Sequence, residues 1–239
     1  MAIEFKKESF DYRELTLLQF TKENIPKGWE DFFTASLPYI EDISENLTKL
    51  VKEGQIILPT MVNIYRAFYL CPFSKIRVVI LGMDPYPNPG DSIGLCFSTF
   101  RKRKIPASLR NIYKELELEG FTSSTSPDIS KWIKQGVLLI NAALTVQAHN
   151  SGSHLHIWKE FTQYLISYIS NKSSNIVWIL WGKDAKNVCQ KLIDEEKHCI
   201  ITGYHPSPYN TELFLGGNYF RKCNDYLFKS GLEEVDWNL

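Results

Sequence analysis

The sequence predicts an α/β fold: a single-domain three-layer sandwich with a central, mainly parallel four-stranded sheet flanked by helices. Three observations carry this expectation. Four short apolar runs, 77–81, 137–140, 176–181 and 199–203, are rich in aliphatic residues and lack the alternation of a half-exposed strand. Amphipathic helical patterns separate them, and strands joined through helices pair in parallel. No linker, internal repeat or low-complexity tract divides the 239 residues, a length that one large domain can hold.

Residues 1–27 mix charge with isolated aromatics and read as a loosely attached N-terminal arm, which leaves 28–239 as the α/β domain. From Trp29 the pattern is helical. Trp29, Phe32 and Phe33 share a face, Ser36 and Pro38 interrupt it, and Ile43, Leu47, Leu50 and Val51 resume it in a second helix closed by Gly54. Pro59 opens a further amphipathic run, with Ile64, Ala67 and Phe68 on one side, that ends before Pro72. The first strand follows, and Gly82 permits a sharp exit into a loop stiffened by Pro85, Pro87 and Pro89.

Beyond a short apolar piece, Gly94-Leu95-Cys96-Phe97-Ser98, Pro106 stands at the start of a helix. Leu109, Ile112, Tyr113 and Leu116 form its buried face, and Gly120 closes it. A short helix surrounds Trp132, and the second strand ends at Asn141. A polar stretch from His149 to His154 leads into a helix over 157–170. The third strand ends at Gly182 and a charged helix follows. The fourth strand runs into Tyr204-His205-Pro206-Ser207-Pro208-Tyr209, and a final helix covers 218–228.

Composition removes several function classes. Lys plus Arg and Asp plus Glu each number 27, so no whole-molecule positive field draws in nucleic acid. Arg101-Lys102-Arg103-Lys104 is the local candidate, although such runs are more often solvated loops. The five cysteines show no Cys-x-x-Cys spacing, which argues against a zinc ribbon or redox pair. No apolar signal core opens the chain and no run nears about 18 uninterrupted apolar residues, so a soluble protein of a reducing compartment is expected, cytoplasmic or, in a eukaryote, nuclear. There is no G-x-G-x-x-G after the first strand and no Walker loop. His154-Leu155-His156 has poor spacing for a metal. No cofactor and no metal are expected.

In a parallel sheet the C-terminal strand ends share one edge, and ligands bind there. Asp84, Asn141 and His205 each follow a different strand and should meet at that edge. Singly they have plain readings as a turn cap, a strand terminator and a turn residue. As a carboxylate, an amide and an imidazole converging on one crevice, they make an active-site set.

These residues lie in motifs that resemble family-1 uracil-DNA glycosylases. Gly82-Met83-Asp84-Pro85-Tyr86, Gly94-Leu95-Cys96-Phe97-Ser98, Gly136-Val137-Leu138-Leu139-Ile140-Asn141-Ala142 and His205-Pro206-Ser207-Pro208 come in the family's order and near its spacings. The helix opening at 106–116 and Leu144-Thr145-Val146 are similar too, so the resemblance spans about 58–226. It implies hydrolysis of the N-glycosidic bond of deoxyuridine in DNA, releasing uracil and leaving an abasic site for base excision repair. Asp84 would then activate a water and steady a cationic sugar, and His205 would hydrogen-bond the uracil oxygen nearest the sugar. Asn141 would read the uracil edge, Phe97 would stack on the base, and Tyr86 would occupy the space that a thymine methyl needs. Backbone N–H groups at Met83 would assist as in an oxyanion hole. Pro87, Ser108, Ser207 and Tyr209 would contact DNA. The implied partner is uracil-containing DNA, single- or double-stranded, bound by a monomer with no membrane, with replication or repair proteins as further partners.

The chain departs from the family at three positions. Met83 stands where the family has Gln, Pro87 where it has His, and Tyr209 where the DNA wedge is Leu. The first two sit on the catalytic loop and frame two alternatives: a DNA-binding or polymerase-processivity subunit with a vestigial site, as poxviral relatives with Pro after the Tyr suggest, or action on other damaged bases. Because hydroxyls and backbone N–H groups would supply the phosphate contacts, binding to DNA should depend only weakly on salt. A filter-binding titration should give a log–log slope shallower than about −6.

Overall fold

The computed structural model describes residues 11–100 and 105–239. The basic run Arg101-Lys102-Arg103-Lys104 lies outside the described residues, as do the first ten residues of the expected arm. In chain order the helices and strands are α1 (Leu17–Glu23), α2 (Glu30–Lys52), β1 (Ile57–Leu58), α3 (Met61–Ile64), α4 (Arg66–Leu70), β2 (Val78–Gly82), α5 (Ala107–Leu118), α6 (Ser130–Ile133) and β3 (Val137–Asn141). They continue with β4 (Val146–Gln147), α7 (Leu155–Lys172), β5 (Val177–Trp181), α8 (Lys183–Cys189), β6 (Cys199–Gly203), α9 (Thr211–Phe214) and α10 (Tyr219–Lys229).

The expected four-stranded sheet forms, in the order β3-β2-β5-β6 with every pairing parallel. β2, β3 and β5 are buried at every residue, because helices cover both faces of a parallel sheet. β6 is the exception: at the sheet edge, only Ile201 of its five residues is fully buried. The chain leaves β2 toward β3 and leaves β5 toward β6, on opposite sides, so the connections diverge between β2 and β5. Such a divergence opens a crevice at the C-terminal ends of the strands. Register completes the arrangement. Gly82 pairs with Asn141 and Trp181 with Gly203, which brings the exits of all four strands level.

Two expectations are corrected, and one small element is added. The described part of the arm is not loose. Thr16 caps α1 in a reciprocal pair with Gln19, and Leu17 and Phe20 enter the core. Phe20 stacks on Tyr65 with ring centroids 6.1 Å apart, and the Thr21 and Tyr65 hydroxyls lie 2.8 Å apart. Few apolar residues are present there, yet they fall on one helical face, and that suffices for docking on α2.

The two helices expected across Ser36 and Pro38 are one 23-residue helix, α2. Pro38 deletes a backbone donor inside it, a defect that costs about 3 kcal/mol or more in an isolated helix. Packing outweighs that cost: Phe32 and Phe33 of α2 meet Phe161 of α7 at 5.5 and 6.5 Å, and Phe32 stacks on Tyr164 at 5.5 Å. Finally, β1 and β4 form a small antiparallel pair, with Ile57 opposite Gln147, that two-residue segments are too short to announce.

Among the described residues no helix is long and apolar enough to cross a membrane. The integration of α1 is directly testable. Phe20→Ala should destabilise the protein by about 3–5 kcal/mol in urea unfolding, whereas a loose arm would leave the unfolding midpoint unchanged.

Candidate active site

Gly82, the last residue of β2, does more than permit a turn. A Cβ at this position would lie 2.3 Å from Asn141 Oδ1 and 2.8 Å from Cys96 Cβ. The missing side chain is the space into which the Asn141 amide projects, and Asn141 is accordingly buried. Two residues on, Asp84 is held by the loop ahead of α7. Ser151 Oγ donates to both carboxylate oxygens at 3.1 Å, and the Gly152 N–H donates to Oδ2 at 2.5 Å. Burial pushes the Asp84 pKa up from the ordinary 3.8, while the Gly152 and Ser151 hydrogen bonds oppose the rise. The same loop holds the next proline: the His149 N–H donates to the Pro87 carbonyl at 2.7 Å.

Tyr86 and Phe97 are coupled, because the Tyr86 hydroxyl donates to the Phe97 carbonyl at 2.9 Å. Phe97 has a left-handed backbone (φ 60°), a conformation that bulky residues adopt only when their surroundings impose it. Its ring stands edge-on to Trp181 of β5, 5.7 Å between centroids, and 6.1 Å from the His205 imidazole. His205 follows β6 and packs against Gly182, where a Cβ would come 3.1 Å from its own Cβ. Burial lowers the His205 pKa from 6.5, with Asp184 opposing, which favours the neutral ring.

Eight of the ten residues singled out from the sequence, Met83, Asp84, Tyr86, Pro87, Phe97, Ser108, Asn141 and His205, line one pocket of about 180 Å³. That is below the roughly 300–1,000 Å³ of sites for drug-sized ligands, and suits a single planar ring. Ser207 lines a neighbouring cavity of about 810 Å³ that shares Gly82, Met83 and His205 with it and carries Lys159 and Lys183 on its wall. Tyr209 lines neither cavity and is 96% exposed.

Ser151 and Gly152 are the residues that sequence reasoning missed. The signal was a Gly/Ser-rich stretch just ahead of a helix, which has too many other uses to single out. The His154-Leu155-His156 motif has a structural occupation. His154 is buried, pushed down to about 4 by burial, and its Nδ1 lies 2.9 Å from the Thr145 hydroxyl, which also accepts from Trp158 Nε1. Among the described residues no group of three or more His, Cys, Asp or Glu side chains could hold a metal ion.

A family model, the Uracil DNA glycosylase superfamily, matches residues 68–228, more than half of the chain. The chain belongs to the uracil-DNA glycosylase superfamily and is an enzyme of that class. It is 40% identical over 222 residues to a uracil-DNA glycosylase of Campylobacter lari, covering 91% of this chain and 96% of that protein. It is 43% identical over 203 residues to uracil-DNA glycosylase 1 of Bacteroides fragilis, covering 84% and 91%. The crystal structure of mimivirus uracil-DNA glycosylase superimposes with a TM-score of 0.82 at 29% identity, covering 89% of this chain and 86% of that one.

The environment of Asp84 has a consequence for stability. Its folded pKa lies above the ordinary carboxylate value, so the folded protein holds that proton more tightly than the unfolded chain. The stability this group contributes is present below about pH 4 and is lost as pH rises through the raised folded value. Asp84→Asn keeps an acceptor for Gly152 and has no charge to desolvate. It should raise the thermal midpoint at neutral pH, with the gain shrinking toward acid pH in a thermal-unfolding series.

Proposed function

We propose that the enzyme hydrolyses the N-glycosidic bond of deoxyuridine in DNA, with the base flipped into the 180 Å³ pocket. The observation that carries this reading is the convergence of a half-buried carboxylate, a buried amide, a half-buried imidazole and an aromatic face on a cavity sized for one base. The C1′–N1 bond breaks first, leaving a cationic sugar and a uracil anion. Ionised Asp84 steadies the cation and takes a proton from the water whose oxygen bonds to C1′. His205, whose partial burial favours the neutral ring, donates a hydrogen bond to the uracil oxygen nearest the sugar without transferring a proton.

Asn141 offers a donor and an acceptor to uracil, and cytosine presents the reversed pattern and leaves buried groups unpaired. Phe97 stacks on the ring. Tyr86, held by its bond to the Phe97 carbonyl, fills the space of a thymine methyl. Backbone N–H groups at Met83 face the developing charge, and Pro87 and Ser108 meet the DNA at the pocket mouth. The larger cavity, with Ser207, Lys159 and Lys183 on its walls, accommodates neighbouring nucleotides, and exposed Tyr209 fills the gap left in the stack.

Uracil release from single- and double-stranded uracil-containing DNA tests the reading. Asp84→Asn and His205→Ala should each lower turnover by about 10²-fold or more. Turnover should rise from acid pH as Asp84 ionises and His205 loses its proton, then stay flat above about pH 7. Asn141→Asp should let cytosine compete. Wild-type protein that binds DNA and releases no uracil would leave the DNA-binding subunit as the better account.

A further inference from the structure

The loop that carries His205, Ser207 and Tyr209 has an unusual difficulty. Pro206 and Pro208 have no N–H groups, so the loop is short of donors to satisfy its own carbonyls. Those donors must come from elsewhere in the fold. They come from α5, the helix whose first turn carries Ser108.

Asn111, Glu115 and Glu119 recur every four residues and therefore share one face of α5 and its C-terminal cap. All three are buried. Asn111 Nδ2 donates to the Pro206 carbonyl at 3.0 Å and to Thr211 Oγ1 at 2.9 Å, with a longer contact of 3.4 Å to the Ser207 carbonyl. Glu115 accepts from the Gly216 and Asn218 N–H groups at 2.6 and 2.8 Å. Glu119 accepts from the Phe220 and Arg221 N–H groups at 3.2 and 2.6 Å. The chain from 206 to 221 is thus laid along α5 in the same order as the three side chains that hold it. The two glutamates secure the far end, where α10 begins. Asn111 alone of the three holds the end next to the imidazole.

We propose that Asn111 is a positioning residue for His205: by fixing the Pro206 carbonyl from α5, it sets the imidazole in the pocket that His205 lines together with Asp84 and Ser108. This rests on the reading of His205 given above. Both Asn111 N–H groups are committed, and the bonded carbonyl is one residue beyond His205. Gly182 also packs against His205: a Cβ at that position would lie 3.1 Å from the His205 Cβ. Without the amide, a buried carbonyl loses its donor and the loop moves to find water. Misplacement of a catalytic group by about 1 Å can cost on the order of 10²-fold in rate.

The test is a double-mutant cycle read by single-turnover uracil release from single-stranded uracil-containing DNA, with urea unfolding in parallel. Asn111→Ala should lower the rate of the bound complex by about 10- to 100-fold and leave KM within about threefold. In a His205→Ala background the same change should cost less than about threefold, because the residue it acts through is already gone. Glu119→Gln should lower the unfolding midpoint and leave turnover within about threefold. Equal losses in both backgrounds, or a folded Asn111→Ala protein at the wild-type rate, would overturn the assignment. If Asn111→Ala does not fold, Thr211→Val, which removes one partner of the amide at a half-buried position, should give a several-fold loss with the same non-additivity, and additive behaviour there overturns it equally. Absence of uracil release by the wild type would instead remove the functional reading beneath it.

Discussion

Parallel pairing of β2 with β3, in register at Gly82 and Asn141, is the constraint on which the site depends. The pairing delivers a buried amide beside the exit of β2, and the exit must then lack a side chain, since any Cβ would overlap the amide oxygen. Shifting the register by one residue would turn Asn141 to the other face of the sheet. Pairing of β2 with β5 adds Trp181 and Gly182 to the same edge, and these brace the Phe97 ring and the His205 side chain. The chemistry sits on loops, yet the sheet decides where those loops begin.

A second theme is how loops rich in proline are held. Proline stiffens a chain but withholds donors, so each such loop here borrows them from a neighbour. The loop after β2 takes donors from the segment ahead of α7, through Ser151, Gly152 and His149. The loop after β6 takes them from α5, through Asn111. The result is a pocket whose walls come from segments far apart in sequence and whose positions are mutually dependent.

The departing positions on the loop after β2 fit this scheme. The Met83 carbonyl accepts from the Ala143 N–H at 2.9 Å, and the Pro87 carbonyl accepts from His149. A carbonyl is present whatever the side chain, so the backbone course of this loop survives both replacements. What changes is the chemistry at the wall: Met83, which lines both cavities, brings a thioether side chain, and no polar side chain stands at 87.

The sequence by itself determined the α/β class, the four strands, and the edge on which Asp84, Asn141 and His205 meet. Those follow from short-range physics: apolar runs need burial on both faces, and parallel strands end on one side. It also exposed the motifs at 82–86, 94–98, 136–142 and 205–208, since polar and ring-bearing residues there interrupt an otherwise regular apolar pattern. Only the tertiary structure decided the rest. Pro38 lies inside one long helix because aromatic packing on α7 exceeds a local defect, and α1 joins the core because two or three residues find partners distant in sequence. Ser151, Gly152 and Asn111 acquire their roles from hydrogen bonds that span 67 to 95 positions. Periodicity cannot disclose such partners, because it reports which face a residue is on and not what waits opposite.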